Sequence, residues 1–166
     1  MRYILDSNIF ITPYRGFCPL DVGVSFWRKL KSLAENGIIV SLDKVKEEIF
    51  ANADELRSWM TASLPHRFFM PFATEPSTER MREIMTWVAS STFYTTRAKE
   101  KFMNMEKADV YLAAYASASP EDWTIVSSEI PSPNSPGIIK LPDICKRFGA
   151  KCIQLQAMFR EISETF

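Results

Sequence analysis

Short apolar runs alternate along the chain with longer stretches in which apolar residues recur every three or four positions. The short runs, at residues 3–5, 38–40, 123–126 and 151–155, predict buried β-strands. The longer stretches predict helices with one apolar face. Because strands alternate with helices, we expect an α/β fold, a three-layer sandwich around a mostly parallel sheet of four to five short strands.

Two stretches break this alternation. Residues 12–19 contain two prolines and a glycine, which favours a loop. Residues 64–76 are irregular and rich in phenylalanine, which favours a loop pinned onto the core, with a lid over a site as the alternative. Neither stretch has the composition of a linker, so we expect residues 1–166 to form a single domain.

The amino-acid composition limits the kinds of ligand that the protein is expected to bind. The chain has 20 basic and 20 acidic residues, so no global positive field indicates a nucleic-acid binder. A local candidate is the basic run that includes Arg97 and Lys101, which is either a solvated helix face or a phosphate contact. No glycine-rich nucleotide-binding motif is present.

The numbers of cysteines and histidines exclude several kinds of structural and catalytic site. Three cysteines without a C-x-x-C pair argue against a disulfide framework and a zinc finger, and favour reduced thiols in a cytoplasmic protein. The single histidine, His66, excludes a two-histidine ribonuclease and a three-histidine zinc site. No apolar run is long enough for a membrane-spanning helix.

Acidic residues stand at the ends of the predicted elements. Asp6 follows the first strand, Glu47 and Glu48 lie on the helix after the second strand, Asp109 opens an alanine-rich helix, and Glu129 follows the third strand. Each has a simpler reading: a turn for Asp6, a helix cap for Asp109, a solvated face for the glutamates and a loop for Glu129. If the acids instead converge at one edge of the sheet, their repulsion calls for a hard cation, Mg²⁺ or Mn²⁺.

Helix phase distinguishes the two adjacent glutamates. On a helix that begins near Leu42, Val45 and Ile49 share the inner face, and Glu48 lies beside it. Glu47 is rotated away by a further ~100°. We therefore expect Glu48 to face the site.

Four segments that contain these acids resemble the PIN domain, the nuclease fold of the PilT N-terminus and VapC-type toxins. They are YILDSN at 3–8, VKEEI at 45–49, ADVYLAA at 108–114 and IVSSE at 125–129. They are similar, in order, to a strand followed by D-[ST]-N, a helix acid followed by an aliphatic residue, an aspartate that opens an alanine-rich helix, and a strand followed by [TS]-x-D. The resemblance covers nearly the whole chain.

The resemblance implies an Mg²⁺- or Mn²⁺-dependent endoribonuclease that hydrolyses RNA phosphodiester bonds and leaves 5′-phosphates. It implies catalytic and metal-binding roles for Asp6, Glu48, Asp109 and Glu129. Asn8 and Ser127 would support these acids. The implied partners are an RNA substrate and the antitoxin of a toxin–antitoxin pair; a homodimer is a further expectation, and no membrane is involved.

The fourth acid departs from the usual aspartate of the family. Glu129, together with KLPDIC at 140–145, is similar to an uncharacterised bacterial PIN-like subfamily. Asp143 in that segment could assist or replace Glu129.

Two other functional classes remain open. A haloacid-dehalogenase-like phosphatase uses an early strand-end aspartate as nucleophile and needs a second acid two residues later, where this chain has Asn8. A PIN-like scaffold with a degraded site, which binds RNA or a protein partner, is the non-enzymatic alternative.

Overall fold

A computed structural model describes residues 2–165 and confirms the α/β class. One sheet of five parallel strands lies between layers of helices. The strands are β1 (Arg2–Leu5), β2 (Ile39–Leu42), β3 (Phe69–Met70), β4 (Trp123–Val126) and β5 (Lys151–Ile153). The helices within residues 2–165 are α1 (Asn8–Arg15), α2 (Val24–Glu35), α3 (Asp43–Phe50), α4 (Glu55–Ser63), α5 (Glu75–Ser90), α6 (Thr96–Phe102), α7 (Asp109–Ala118), α8 (Leu141–Arg147) and α9 (Leu155–Glu161).

The order of the strands across the sheet creates a switch point. That order is β3-β2-β1-β4-β5, and every pairing is parallel. The chain builds outward from β1 through β2 to β3, then crosses to the other side of β1 to form β4 and β5. The winding direction therefore reverses between β1 and β4, and in open parallel sheets ligands bind outside the carboxyl ends of the strands at such a point.

Helix α7 holds the two sides of the fold together. It packs against α5, α8 and β4. Seven of its residues are buried, among them Ala113, Ala114 and Ala116, whose short side chains allow neighbouring backbones to approach closely. Because α7 is buried over most of its surface, its first residue, Asp109, has little freedom to move.

The stretch at residues 12–19 differs from its predicted loop. Residues 12–15 complete helix α1, with Pro13 inside it and buried. The proline ring removes one backbone donor near the end of a short helix, where Gly16 and Cys18 then donate to the Pro13 carbonyl. Burial of Ile9, Phe10 and Pro13 against the core outweighs the lost hydrogen bond.

The irregular aromatic stretch contains a strand that the sequence pattern does not reveal. Residues His66–Phe68 form one turn of 3₁₀ helix, and Phe69 and Met70 then form β3, which pairs with Ser41 and Leu42 of β2. Two residues are too few to show a strand period. Phe68 and Phe72 are buried, as the prediction of a segment pinned onto the core requires.

Among residues 2–165, no helix combines the length and the apolar character that crossing a bilayer would require.

The buried hydroxyl of Thr124 generates a stability prediction. Thr124 is fully buried on β4, and no described residue provides a hydrogen-bond partner for its Oγ1 atom. Thr124→Val should therefore stabilise the protein by about 1 kcal/mol, because it removes an unsatisfied polar atom at nearly constant shape. Thermal melts should show a rise of about 2–4 °C.

Ser41→Ala is the control for Thr124→Val, because it removes a buried hydroxyl that has a hydrogen-bond partner. The equally buried Ser41 Oγ donates to the Leu5 carbonyl at 2.6 Å, so its removal should cost about 1 kcal/mol. A lower melting temperature for Thr124→Val would show that its hydroxyl has a partner.

Candidate active site at the sheet switch point

Asp6 and Ser127 stand side by side because of the strand register. Leu5 of β1 pairs with Val126 of β4, so Asp6 and Ser127, the next residues along the chain, stand opposite each other at the carboxyl ends of the two strands. The Asp6 amide donates to the Val126 carbonyl at 3.0 Å, which continues the ladder by one bond. The Ser127 hydroxyl donates to Asp6 Oδ2 at 2.8 Å.

The Asp6 carboxylate is held by both of its oxygen atoms. Oδ1 accepts from the Ser7 amide at 2.7 Å, and Oδ2 accepts from Asn8 Nδ2 at 2.6 Å as well as from Ser127. Asn8 also accepts a hydrogen bond from the Ser128 amide at 2.9 Å through its own oxygen atom. The local turn bonding expected from Asp-Ser-Asn is therefore present, and it orients a carboxylate that also belongs to a larger cluster.

Asp6 is only 2% exposed, and its surroundings favour the protonated form. Burial, together with the negative charges of Asp109 and, to a lesser extent, Glu48, raises the pKa of Asp6 from 3.8 to about 7, against hydrogen bonds from Ser127 and Ser7 that lower it. A carboxylate with these neighbours gains stability from any cation that enters the site.

Asp109 lies close enough to other acids of the cluster for their negative charges to act on its carboxylate. It opens α7 without capping it, and no described residue donates a hydrogen bond to its carboxylate. Burial, together with the charges of Glu129 and Glu48, raises the pKa of Asp109 to about 6, although the positive charges of Lys107 and Lys140 lower it. The helix-cap reading of Asp109 is therefore wrong.

Glu48 faces the site and Glu47 does not. The Glu48 side chain is 21% exposed, lies 3.5 Å from Lys107 Nζ, and accepts from the Ala108 amide at 3.4 Å. The Glu47 side chain is 63% exposed and pairs with Lys44 at 2.9 Å. The helix phase derived from Val45 and Ile49, which are both buried, thus places the correct glutamate inward.

Glu129 reaches the same site but already has partners at both oxygen atoms. Oε1 accepts from Lys140 Nζ at 3.1 Å, and Oε2 accepts from the Leu141 amide at 2.8 Å. The Glu129 amide itself donates to Ser127 Oγ at 3.1 Å. The structure therefore brings Glu129 to the cluster while anchoring its carboxylate to the start of α8.

These residues surround a cavity of about 230 Å³, which we call the acid cavity. Its lining comprises four carboxylates (Asp6, Glu48, Asp109, Glu129), three lysines (Lys101, Lys107, Lys140), two polar neighbours of Asp6 (Ser7, Asn8) and four apolar residues (Ala98, Phe102, Ile138, Ile139). All four sequence-predicted acids thus line one cavity, although they come from four separate parts of the chain.

Other candidate residues lie elsewhere. Arg97 is exposed on α6 and does not line the acid cavity, whereas Lys101 on the same helix does. Asp143 accepts from the Ser132 amide at 2.8 Å and lines a different depression, so it does not replace Glu129. His66 also lies in a separate depression, beside Phe69.

The sequence interpretation missed Lys140 as a site residue. It lies 11 positions after Glu129, beyond a proline-rich loop, in the same short segment as Asp143. A lysine that precedes a helix beginning with Leu-Pro belongs to no motif that would indicate a functional site. Only the path of the loop through residues 130–139 shows that Lys140 folds back onto Glu129.

The donor set of the acid cavity fits a hard divalent cation. Its lining offers carboxylate oxygens and no imidazole or thiol, the combination that Mg²⁺ and Mn²⁺ prefer. Within residues 2–165, no three acidic, histidine or cysteine side chains already stand close enough to enclose a metal. Metal binding would therefore require carboxylates of the acid cavity to move closer together.

A family model described as a domain of unknown function, DUF4411, matches residues 3–166. The chain therefore belongs to this family. No curated protein and no solved structure matches it.

The raised pKa of Asp109 generates a pH-dependent stability prediction for the metal-free protein. Below pH 3.8 the carboxyl binds its proton in both the folded and the unfolded chain, so burial carries no charge penalty. As the pH rises through about 6, the folded state must ionise Asp109 among other acids, and stability falls. Asp109→Asn removes this penalty, so in EDTA its melting temperature should exceed that of the wild type near pH 8 and approach it near pH 4.

The expected gain near pH 8 is on the order of 1–3 kcal/mol. Asp109 tests the charge cluster better than Asp6 does, because Asp6→Asn would also place an amide donor against Asn8 or Ser127. Asp21→Asn, at an exposed position outside the cavity, is the matched control for a lost charge. If wild type and Asp109→Asn show parallel melts from pH 4 to 8, the acids do not repel one another.

Proposed function

We propose that this DUF4411 protein is an Mg²⁺- or Mn²⁺-dependent endoribonuclease of the PIN type, acting as the toxin of a toxin–antitoxin pair. The observation that carries the proposal is the convergence of Asp6, Glu48, Asp109 and Glu129 on one cavity at the switch point of a parallel sheet. The four segments that resemble PIN motifs supply these four acids, so motif and geometry select the same residues.

In this proposal Asp6, Glu48, Asp109 and Glu129 are the candidate ligands of the metal. When bound, the metal would activate a water molecule and stabilise negative charge on the phosphate. Asn8 and Ser127 keep the Asp6 carboxylate directed into the cavity. The buried position of Asp6 and Asp109 lowers the local dielectric, which strengthens their attraction for a cation.

The lysines add positive charge to the cavity, which suits a nucleic-acid substrate. Lys101, Lys107 and Lys140 stand beside the carboxylates, and lysine side chains bind phosphate as point charges. An antitoxin would neutralise such a protein by covering or filling the acid cavity.

A non-enzymatic scaffold is the second candidate, and one observation favours it. Both oxygens of Glu129 are already bonded, and the described acids do not enclose a metal as they stand. In a protein with a degraded site, RNA or a protein partner would bind without being cleaved.

The phosphatase alternative is less consistent with the arrangement. Its mechanism needs an acid two residues after the nucleophilic aspartate, where Asn8 donates to Asp6 and accepts from the Ser128 amide. An amide that bridges two strand ends cannot protonate a leaving group.

Cleavage of a structured RNA with Mn²⁺ and with EDTA tests the nuclease proposal. Wild type should cleave only with Mn²⁺, and Asp6→Asn and Asp109→Asn should each lower the rate by at least about 100-fold, because a direct metal ligand should matter at least as much as its supporting residues. Circular dichroism should show that both variants are folded. Full activity in either variant, or cleavage by wild type in EDTA, would refute this mechanism; binding without cleavage would support the scaffold.

The adjacent glutamates provide a matched pair for the same assay. Glu48→Gln should lower cleavage by about tenfold or more, because it removes a carboxylate from the acid cavity. Glu47→Gln makes the same chemical change on an exposed face and should leave the rate nearly unchanged. The opposite ranking would mean that Glu47, and not Glu48, serves the site.

A further inference from the structure

Glu129 differs from the other three acids of the cavity because a lysine holds it at hydrogen-bond distance, whereas the donors to Asp6 are all neutral groups. Asp109 accepts no hydrogen bond from a described residue, and Glu48 has only a long contact to Lys107 at 3.5 Å and a weak bond from Ala108 at 3.4 Å. Glu129 is held by an ion pair at 3.1 Å and a backbone bond at 2.8 Å, with both partners on neighbouring residues at the start of α8. A metal that recruited Glu129 would have to compete with the positive charge of Lys140 for the same carboxylate.

Lys140 is held more closely in the cavity than Lys107 is. Its side chain is 26% exposed, against 51% for Lys107, and its Nζ lies 3.1 Å from the Glu129 carboxylate, whereas Lys107 Nζ lies 3.5 Å from Glu48. A lysine ammonium group has three N–H donors, and only the donor to Glu129 is used within the described residues. Lys140 can therefore keep its partner and still bind a phosphate oxygen in the cavity.

The charge balance of the cavity points to a ligand that includes one phosphate. Four carboxylates and three lysines line it, so full ionisation leaves one net negative charge. A divalent cation would change this to one net positive charge. One phosphodiester group carries the single negative charge that neutralises the combination.

We propose that Lys140 binds the phosphate of the substrate and that Glu129 positions Lys140 instead of ligating the metal. The inference rests on the proposed function for the nature of the substrate, an RNA strand. By holding the flexible lysine at the cavity wall, Glu129 reduces the conformational entropy that Lys140 would otherwise lose on binding. The metal site is then formed by Asp6, Glu48 and Asp109.

RNA affinity tests the role of Lys140 directly. Binding of a fluorescently labelled, short single-stranded RNA is measured by anisotropy, with Mn²⁺ and with EDTA, in the Asp109→Asn background so that the RNA stays intact. Adding Lys140→Gln should weaken binding about tenfold, and should reduce the slope of log affinity against log salt by about 0.7, the value for one phosphate contact on a single strand. Lys140→Arg should restore most of the affinity.

Lys146→Gln is the matched control, because Lys146 lies on α8, the helix that Lys140 immediately precedes, is exposed and does not line the acid cavity. It should leave affinity and salt slope nearly unchanged. Equal effects of Lys140→Gln and Lys146→Gln, or no RNA binding at all, would overturn the proposal.

The Mn²⁺ response separates the two roles of Glu129. In melts of otherwise wild-type protein, Glu129→Gln should keep the Mn²⁺-induced rise in melting temperature, whereas Asp109→Asn should lose most of it. Glu129→Gln should also weaken RNA binding in the Asp109→Asn background, since Lys140 loses its charged partner. A Mn²⁺ response reduced as strongly by Glu129→Gln as by Asp109→Asn would make Glu129 a metal ligand and overturn its positioning role.

Different experimental results would refute the Lys140 phosphate contact and the nuclease activity. RNA binding that depends on Lys140, without cleavage, would support the phosphate contact and refute the nuclease. Cleavage that depends on Asp6 and Asp109 but not on Lys140 would support the nuclease and refute the phosphate contact.

Discussion

The burial of one carboxylate at the end of the central strand is the constraint on which this site depends. Asp6 leaves β1 at the switch point, where water is largely excluded, and its charge must be compensated there. Ser7, Asn8 and Ser127 supply hydrogen bonds, but they do not offset burial and the nearby acids, so the pKa of Asp6 rises to about 7. The fold thus maintains a carboxylate that a cation would stabilise.

The same constraint explains the polar bonds between β1 and β4. Asn8 joins Asp6, Ser127 and the Ser128 amide, so one side chain connects the ends of two neighbouring strands. These bonds form only if β1 and β4 pair with Leu5 opposite Val126. Register, hydrogen bonding and site geometry therefore depend on one another, because a slip of the strands would leave Asp6 buried without its donors.

The lysines make the acid cavity different from a simple cluster of carboxylates. Lys107 pairs with Glu48 and Lys140 with Glu129, which lowers the repulsion that four acids would otherwise create. With four carboxylates and three lysines in its lining, the fully ionised cavity has a net charge of only −1. Asp6 and Asp109, which have no lysine partner within bonding distance among the described residues, are the acids whose pKa values are most raised.

The sequence by itself determined the α/β class, the parallel sheet and the identity of the four acids. Apolar periodicity follows from local burial, and an acid at the end of an apolar run is visible without knowledge of the fold. Val45 and Ile49 even determined that Glu48 faces inward, because helix phase is a local property. The two-residue strand β3 and the helical position of Pro13 were not predictable, since pairing with β2 and burial of α1 decide them.

Only the tertiary structure decided which charges meet. Arg97 and Lys101 lie four positions apart on α6, yet only Lys101 lines the acid cavity. Lys140 and Asp143 lie in the same short segment, yet only Lys140 turns toward Glu129 while Asp143 bonds to Ser132. The packing of α6 and α8 decides which side chains of these helices reach the cavity, and the path of the loop before α8 decides the direction of Lys140. No local pattern in the sequence records either of them.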